Sequence, residues 1–127
     1  MKHLQIMNEL TKNTNFRQVL ITGEHSQVVV MSVEPGDDIG DEVHTVDQVL
    51  IFSGSAGKAI VDGEERPITE NELFFVPAGT QHNFINTGST PMKVLSIYAP
   101  AEHPDGTIHV TKADAVAAEE AEATKHV

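Results

Sequence analysis

The spacing of hydrophobic and polar positions changes along this chain. Between Phe16 and Ala99, short runs rich in Val, Ile, Phe and Thr alternate with clusters of Gly, Pro, Asn and Asp. That rhythm predicts strands joined by tight turns. The predicted strands are Phe16–Thr22, Gln27–Val33, Gln48–Phe52, Lys58–Val61, Glu65–Ile68, Leu73–Val76, Gln81–Ile85 and Met92–Ala99. Asp62-Gly63 predicts a two-residue hairpin turn, because both positions tolerate the positive φ that such a turn demands. Pro35-Gly36, Gly54, Pro77-Ala78-Gly79, Asn86-Thr87-Gly88 and Pro100 punctuate the other strands. Strands of this length at this spacing predict a sandwich or barrel, in which closure or sheet pairing hides the strand edges.

The two ends follow another period. Thr111 and Asp114 have the spacing of a helix-start capping box, and Ala- and Glu-rich sequence follows from Ala113 to Ala123. A C-terminal helix is expected there, with Val116 as its only large apolar residue. Leu4, Met7 and Leu10 predict a short helix within Met1–Thr11. The expected organisation is an N-terminal extension (1–15), a barrel (16–110) and a C-terminal helix and tail (111–127).

Composition narrows the function classes. A chain of 127 residues suits one domain. No stretch approaches the ~20 apolar residues of a membrane span, and Met1–Lys12 lacks the apolar core of a secretory signal. Cysteine is absent, which excludes disulfides and thiolate chemistry. A cytoplasmic location is expected. The chain carries 19 acidic residues against 8 Lys and Arg, a net charge of −11. Nucleic acid and anionic membrane surfaces are therefore not expected partners.

The most informative local group is Glu42-Val43-His44. Residues two apart on a strand share a face, so Glu42 and His44 can present one oxygen and one nitrogen to the same point. A tight turn would return Gln48 to that face, and His82 would have to arrive on a neighbouring strand. Such an arrangement forms a facial metal site with open positions for water or substrate. Taken singly, each residue has a plainer reading. A His in a half-buried strand is commonly a hydrogen-bonded core residue, and Glu42 belongs to an acidic run that suits a solvated loop.

Beyond spacing, the segment Gly36–Asn86 resembles the cupin superfamily. The second motif of that family runs Gly, five residues, Pro-x-Gly, two residues, His, three residues, Asn. Pro77, Gly79, His82 and Asn86 match it, and Asn71, which also tolerates positive φ, stands at the opening Gly. The first motif matches at Gly36 and His44, with Glu42 in place of a His and Gln48 in place of a Glu. Both replacements remain competent ligands. Two neutral His, one neutral Gln and one carboxylate leave a divalent site at net +1, as three His and one carboxylate do.

The resemblance implies an all-β fold, a double-stranded β-helix or jelly-roll barrel with a short C-terminal helix. It implies a divalent transition metal (Fe, Mn, Ni, Co or Zn) on Glu42, His44, Gln48 and His82, with Glu42 also moving a proton. The expected activity is that of a metal-dependent isomerase, lyase, decarboxylase or dioxygenase on a small sugar or organic acid. Proteins of this look are similar to mannose-6-phosphate isomerase. The alternative is a small-ligand binding or sensing module with a weak or absent metal. Phe84, Tyr98, Arg66 and His103 are candidate substrate-pocket residues, with Phe16, Arg17 and His109 behind them. His3, His25 and His126 are expected at the surface. A homodimer using strands Gln27–Val33 and Val49–Phe52 is also expected from the resemblance.

Overall fold

The computed structural model describes residues 1–125; His126, expected at the surface, and Val127 lie outside them. In chain order the elements are α1 (Ile6–Lys12), β1 (Arg17–Thr22), β2 (Gln27–Val33), β3 (Asp47–Ser53), β4 (Gly57–Val61) and β5 (Glu64–Ile68). Then follow β6 (Leu73–Val76), β7 (His82–Asn86), β8 (Met92–Ala99), β9 (Ile108–His109) and α2 (Lys112–Lys125). Each predicted strand is present, with bounds within about one residue of expectation. β9 was not expected. Two residues after a Pro-Asp-Gly turn carry no alternation to read, and the strand exists because β1 offers an edge, with Arg17 opposite His109.

The strands form a six-stranded sheet, ordered β6-β3-β8-β2-β1-β9, and a three-stranded sheet, ordered β5-β4-β7. Their inner faces meet as a jelly-roll barrel. The turn chemistry behaves as the sequence implies. Asp62 and Gly63 adopt φ of 50° and 77°, and Asn71 takes φ 64°. Asn71 donates its N–H to the Phe52 carbonyl at 2.8 Å.

The barrel interior has a dry end and a polar end. On β3 the inward residues are Gln48, Leu50 and Phe52, each buried. They lie opposite Tyr98, Ser96 and Val94 of β8. Both strands therefore run from polar side chains at one end to apolar ones at the other. β7 repeats the gradient with His82 followed by Phe84. Phe52, Phe74 and Phe84 pack ring to ring at 5.1–5.8 Å between centroids and fill the dry end. Asn86 ends β7 fully buried but fully satisfied. Its Nδ2 donates to the carbonyls of Val33 and Thr90, and its Oδ1 accepts from Ser55 and Gly88. This motif asparagine is a structural knot.

The two helices join different clusters of the core. α1 covers the outer face of the large sheet, where Leu10 is fully buried with Val30 and Leu95 and Ile6 packs alongside. Leu4 precedes the helix and Met7 is exposed, so the expected triad contributes only Leu10. α2 begins with the expected capping box. Asp114 N–H donates to Thr111 Oγ1 at 3.1 Å, and Thr111 N–H donates to Asp114 Oδ2 at 3.3 Å. Its packing residue is not the expected Val116, which is 42% exposed, but Ala115, which joins the core cluster. A small side chain lets the helix backbone approach the barrel closely.

Candidate metal centre

The polar end of the barrel gathers its side chains through backbone pairing. Glu42 lies in the segment between β2 and β3, which runs beside β7 as an irregular strand. Its N–H donates to the His82 carbonyl and its carbonyl accepts from the His82 N–H, both at 2.9 Å. Directly paired residues project to the same face. His44 is fixed from behind, because its carbonyl accepts the Gly79 N–H at 2.7 Å. Gly79 reaches that position with φ 81°, where a side chain would be strained. The Pro77-Ala78-Gly79 turn therefore anchors His44 and launches β7 toward His82.

Ligand atoms of Glu42, His44 and His82 all lie within 4.8 Å of one another. The two imidazole rings sit 5.1 Å apart. On His82, Nδ1 contacts the Thr80 carbonyl at 2.9 Å. A carbonyl only accepts, so Nδ1 carries the proton and Nε2 presents its lone pair. On His44, Nδ1 lies 3.1 Å from Glu102 Oε1, which orients the ring in the same manner. On Gln48, Nε2 donates to Ser96 Oγ at 2.8 Å, leaving Oε1. His44 Nε2, His82 Nε2 and Gln48 Oε1 are buried without a hydrogen-bond partner. Glu42 Oε2 stands 2.6 Å from His44 Nε2, but off the line of a hydrogen bond. Gln48 faces this group because it lies opposite Tyr98 on β8, and the Tyr98 ring meets His44 edge-on at 5.6 Å.

These donors fit a divalent metal. Buried polar groups are costly unless paired, and here three side chains each have one polar atom engaged and the other unpartnered. Oxygen and imidazole donors suit first-row divalent ions. Burial holds the His82 pKa below its ordinary value, which favours the neutral, ligating form. His44 behaves differently without a metal. Burial opposes its charge, but Glu102 and Glu42 outweigh that and raise its pKa to about 9.

A cavity of about 260 Å³ opens over the group, lined by Glu42, Val43, His44, Glu102, His103, Pro104 and Glu119. Of the predicted pocket residues, His103 and Tyr98 are beside it. Their rings meet edge-on at 5.2 Å. Burial raises the Tyr98 hydroxyl to about 12, and burial together with Arg17 lowers His103 to about 3, so both are neutral near pH 7. Phe84 lies deeper than expected. It is fully buried in the core and supports the His82 ring at 6.0 Å.

Arg66 does not belong to the site. It is exposed on β5 and pairs with Glu64 at 2.9 Å. The arginine beside the site is Arg17, buried to 1% exposure, with its Nη2 3.9 Å from Glu42 Oε1. Glu102 and Glu119 were not foreseen. Neither sits in a motif, and α2 gave no sequence signal of lying across the mouth.

Comparison with known proteins agrees with this architecture. The family model for the cupin domain matches residues 29–98. The chain is 49% identical over 124 residues to the uncharacterized protein YrkC of Bacillus subtilis, covering 90% of this chain and 66% of that protein. The crystal structure of BH2720 from Bacillus halodurans superposes with a TM-score of 0.89 at 40% identity, covering 91% of this chain and 93% of that one. The mannose link is distant. A mannose-1-phosphate guanylyltransferase of Salmonella montevideo is 31% identical over 81 residues, 62% of this chain but 17% of that enzyme.

Proposed function

This chain belongs to the cupin family, and on that premise we propose that it binds a divalent transition metal through Glu42, His44, His82 and Gln48 and acts on a small oxygenated molecule at the barrel mouth. The observation that carries this is the set of unpartnered buried atoms, His44 Nε2, His82 Nε2 and Gln48 Oε1, beside the Glu42 carboxylate. A bound divalent ion would polarise a carbonyl or hydroxyl oxygen of the substrate. Glu42 has two carboxylate oxygens, one to ligate and one to accept a proton. Glu102 holds His44 in the ligating tautomer, and Thr80 does so for His82. His103 lines the cavity and offers a neutral ring to a substrate hydroxyl, with Tyr98 buried behind it.

Substrate size follows from the cavity. At about 260 Å³ it lies at or below the lower end of drug-sized sites, ~300–1,000 Å³. Small organic acids and short sugar-derived acids fit this scale. Isomerase, lyase or dioxygenase chemistry is compatible with such a site, and iron, manganese, nickel, cobalt and zinc all accept its donors. The test is elemental analysis of purified, reconstituted protein beside the His82→Ala variant. About one ion per chain in the wild type, lost in the variant, is expected. Unchanged metal content in His82→Ala would show that the ion sits elsewhere.

A second reading has its own observation. Without a metal, His44 is held between the Glu42 and Glu102 carboxylates at 2.6 and 3.1 Å, an ion-paired group that suits a binding or sensing pocket. Reconstituted protein that retains only traces of metal would favour it.

A further inference from the structure

Arg17 is unusual among the buried residues. It is the bulkiest of the fully buried side chains, and its guanidinium carries five donors and a permanent charge. Its partners are few. Nη1 lies 3.2 Å from His109 Nδ1, and Nε is buried with no partner. The two carboxylates beside it, Glu42 at 3.9 Å and Glu119 at 3.8 Å, stand at ion-pair distance but beyond hydrogen-bond contact. A buried charge ordinarily closes hydrogen bonds with its counterion. Glu42 is turned toward His44. The Arg17 donors therefore face a carboxylate-sized need that the resting protein fills only loosely.

Glu119 is the loose filler. It projects from α2, is 56% exposed, and lines the same cavity as Glu42, His44, Glu102 and His103. It sits near two like charges, and burial and Glu42 raise its pKa above the ordinary carboxylate value. α2 itself is fixed near its start, through Ala115 in the core and Lys112 pairing with Asp37 and Asp38. The turn that carries Glu119 lies beyond those anchors.

We propose that Glu119 is an internal carboxylate ligand of Arg17 that occupies the mouth, and that the molecules this site binds are small carboxylates that displace it and take its place on Arg17. This rests on the mouth being the site for small acids, as argued above, and adds the arginine that grips them and the residue that gates it. The exchange is isoelectric, one carboxylate for another. Arg17 is also suited to grip a planar carboxylate with two parallel hydrogen bonds, which Glu119 does not achieve from α2.

The test is calorimetric titration with glycolate and with its uncharged analogue glycolamide. The proteins are the wild type, Glu119→Gln and Arg17→Gln, each metal-loaded and each after chelation. Glu119→Gln is expected to bind glycolate about 1.5-fold to fivefold more tightly, the range for removing a partly exposed competing ion pair, with glycolamide unchanged. After chelation, Arg17→Gln is expected to lose the preference for glycolate over glycolamide. Because Arg17 and Glu119 belong to the chain, the same direction is expected with and without metal. Metal content of the same samples is measured separately, so failure of metal loading is distinguished from failure of this proposal. The proposal is overturned if Glu119→Gln binds glycolate no more tightly than the wild type. It is also overturned if both probes tighten equally, or if a folded, chelated Arg17→Gln keeps the preference. Should Arg17→Gln not fold, the Glu119→Gln arm decides alone.

Discussion

Replacing Gln27 with Leu should loosen the metal centre without touching a ligand. Gln27 is fully buried at the start of β2, and its amide is a four-way clip. Nε2 donates to Thr22 Oγ1 at 3.0 Å and to the His103 carbonyl at 2.7 Å. Oε1 accepts the N–H groups of Glu102 at 3.1 Å and His103 at 3.0 Å. Three of these four bonds hold the segment that carries Glu102 against His44 and His103 over the mouth. Leucine has similar bulk and none of the bonds. At about 0.5–1.5 kcal/mol for each bond, with water replacing some at this edge, the loss is about 2–4 kcal/mol. For a domain of this size that lowers Tm by about 8–15 °C. Freed from its clip, Glu102 no longer fixes the His44 ring, and loss of such an orienting partner typically weakens a metal site about 10–100-fold. Thermal unfolding of chelated protein reads the first effect, and competition against a chromophoric chelator reads the second. A stable Gln27→Leu protein with wild-type metal affinity would refute the claim that this segment orients His44.

Other predictions follow the same geometry. In metal-free protein the raised pKa of His44 makes the folded state bind more protons than the unfolded state between pH 6.5 and about 9. Stability from this group is therefore complete below the unfolded value and lost as pH rises through the folded one. The full shift corresponds to ~3 kcal/mol, which partial solvent contact reduces to about 1–2 kcal/mol. Urea unfolding of the wild type minus His44→Asn, compared at about pH 6 and about pH 9.5, reads this, and a pH-independent difference would contradict it. Phe84→Ala should cost about 3–5 kcal/mol by opening a cavity under His82, read by chemical denaturation. A change of under about 1 kcal/mol would mean that Phe84 is not core. The expected homodimer should use the outer apolar stripe at the β3–β6 edge, where Leu73 and Phe75 are exposed and Val49 lies opposite Phe75, because α1 already covers Val30. Light scattering should give a dimer mass that Phe75→Glu reduces to monomer; a wild-type monomer would end that expectation.

The barrel was legible because its determinants are local. Alternation and turn residues such as Asp62-Gly63 report on neighbours in sequence, and the backbone obeys them. Glu42, His44 and His82 were legible because one spacing and one motif place them on paired segments. The rest of the site depends on contacts between distant parts of the chain. Gln27 bonds to Glu102 and His103 across 75 and 76 residues, and nothing around Gln27 marks it as a clip. Arg17 and Arg66 look alike in sequence. Only the inward face of β1 and the pairing of β1 with β9 bury the first, while β5 leaves the second in solvent. Val116 was the apolar choice in α2, but close approach to the barrel selected Ala115. Phe84 was a candidate for the pocket wall, yet the two-residue step from His82 along β7 carries it into the dry end.

The most direct measurement of the central claim is anomalous diffraction at the absorption edge of the ion from metal-loaded crystals. The account predicts one strong peak at the polar end of the barrel, about 2.0–2.3 Å from a Glu42 carboxylate oxygen, His44 Nε2, His82 Nε2 and Gln48 Oε1. A fully loaded protein with no peak among these four residues, or with Gln48 Oε1 turned away from it, would contradict the claim.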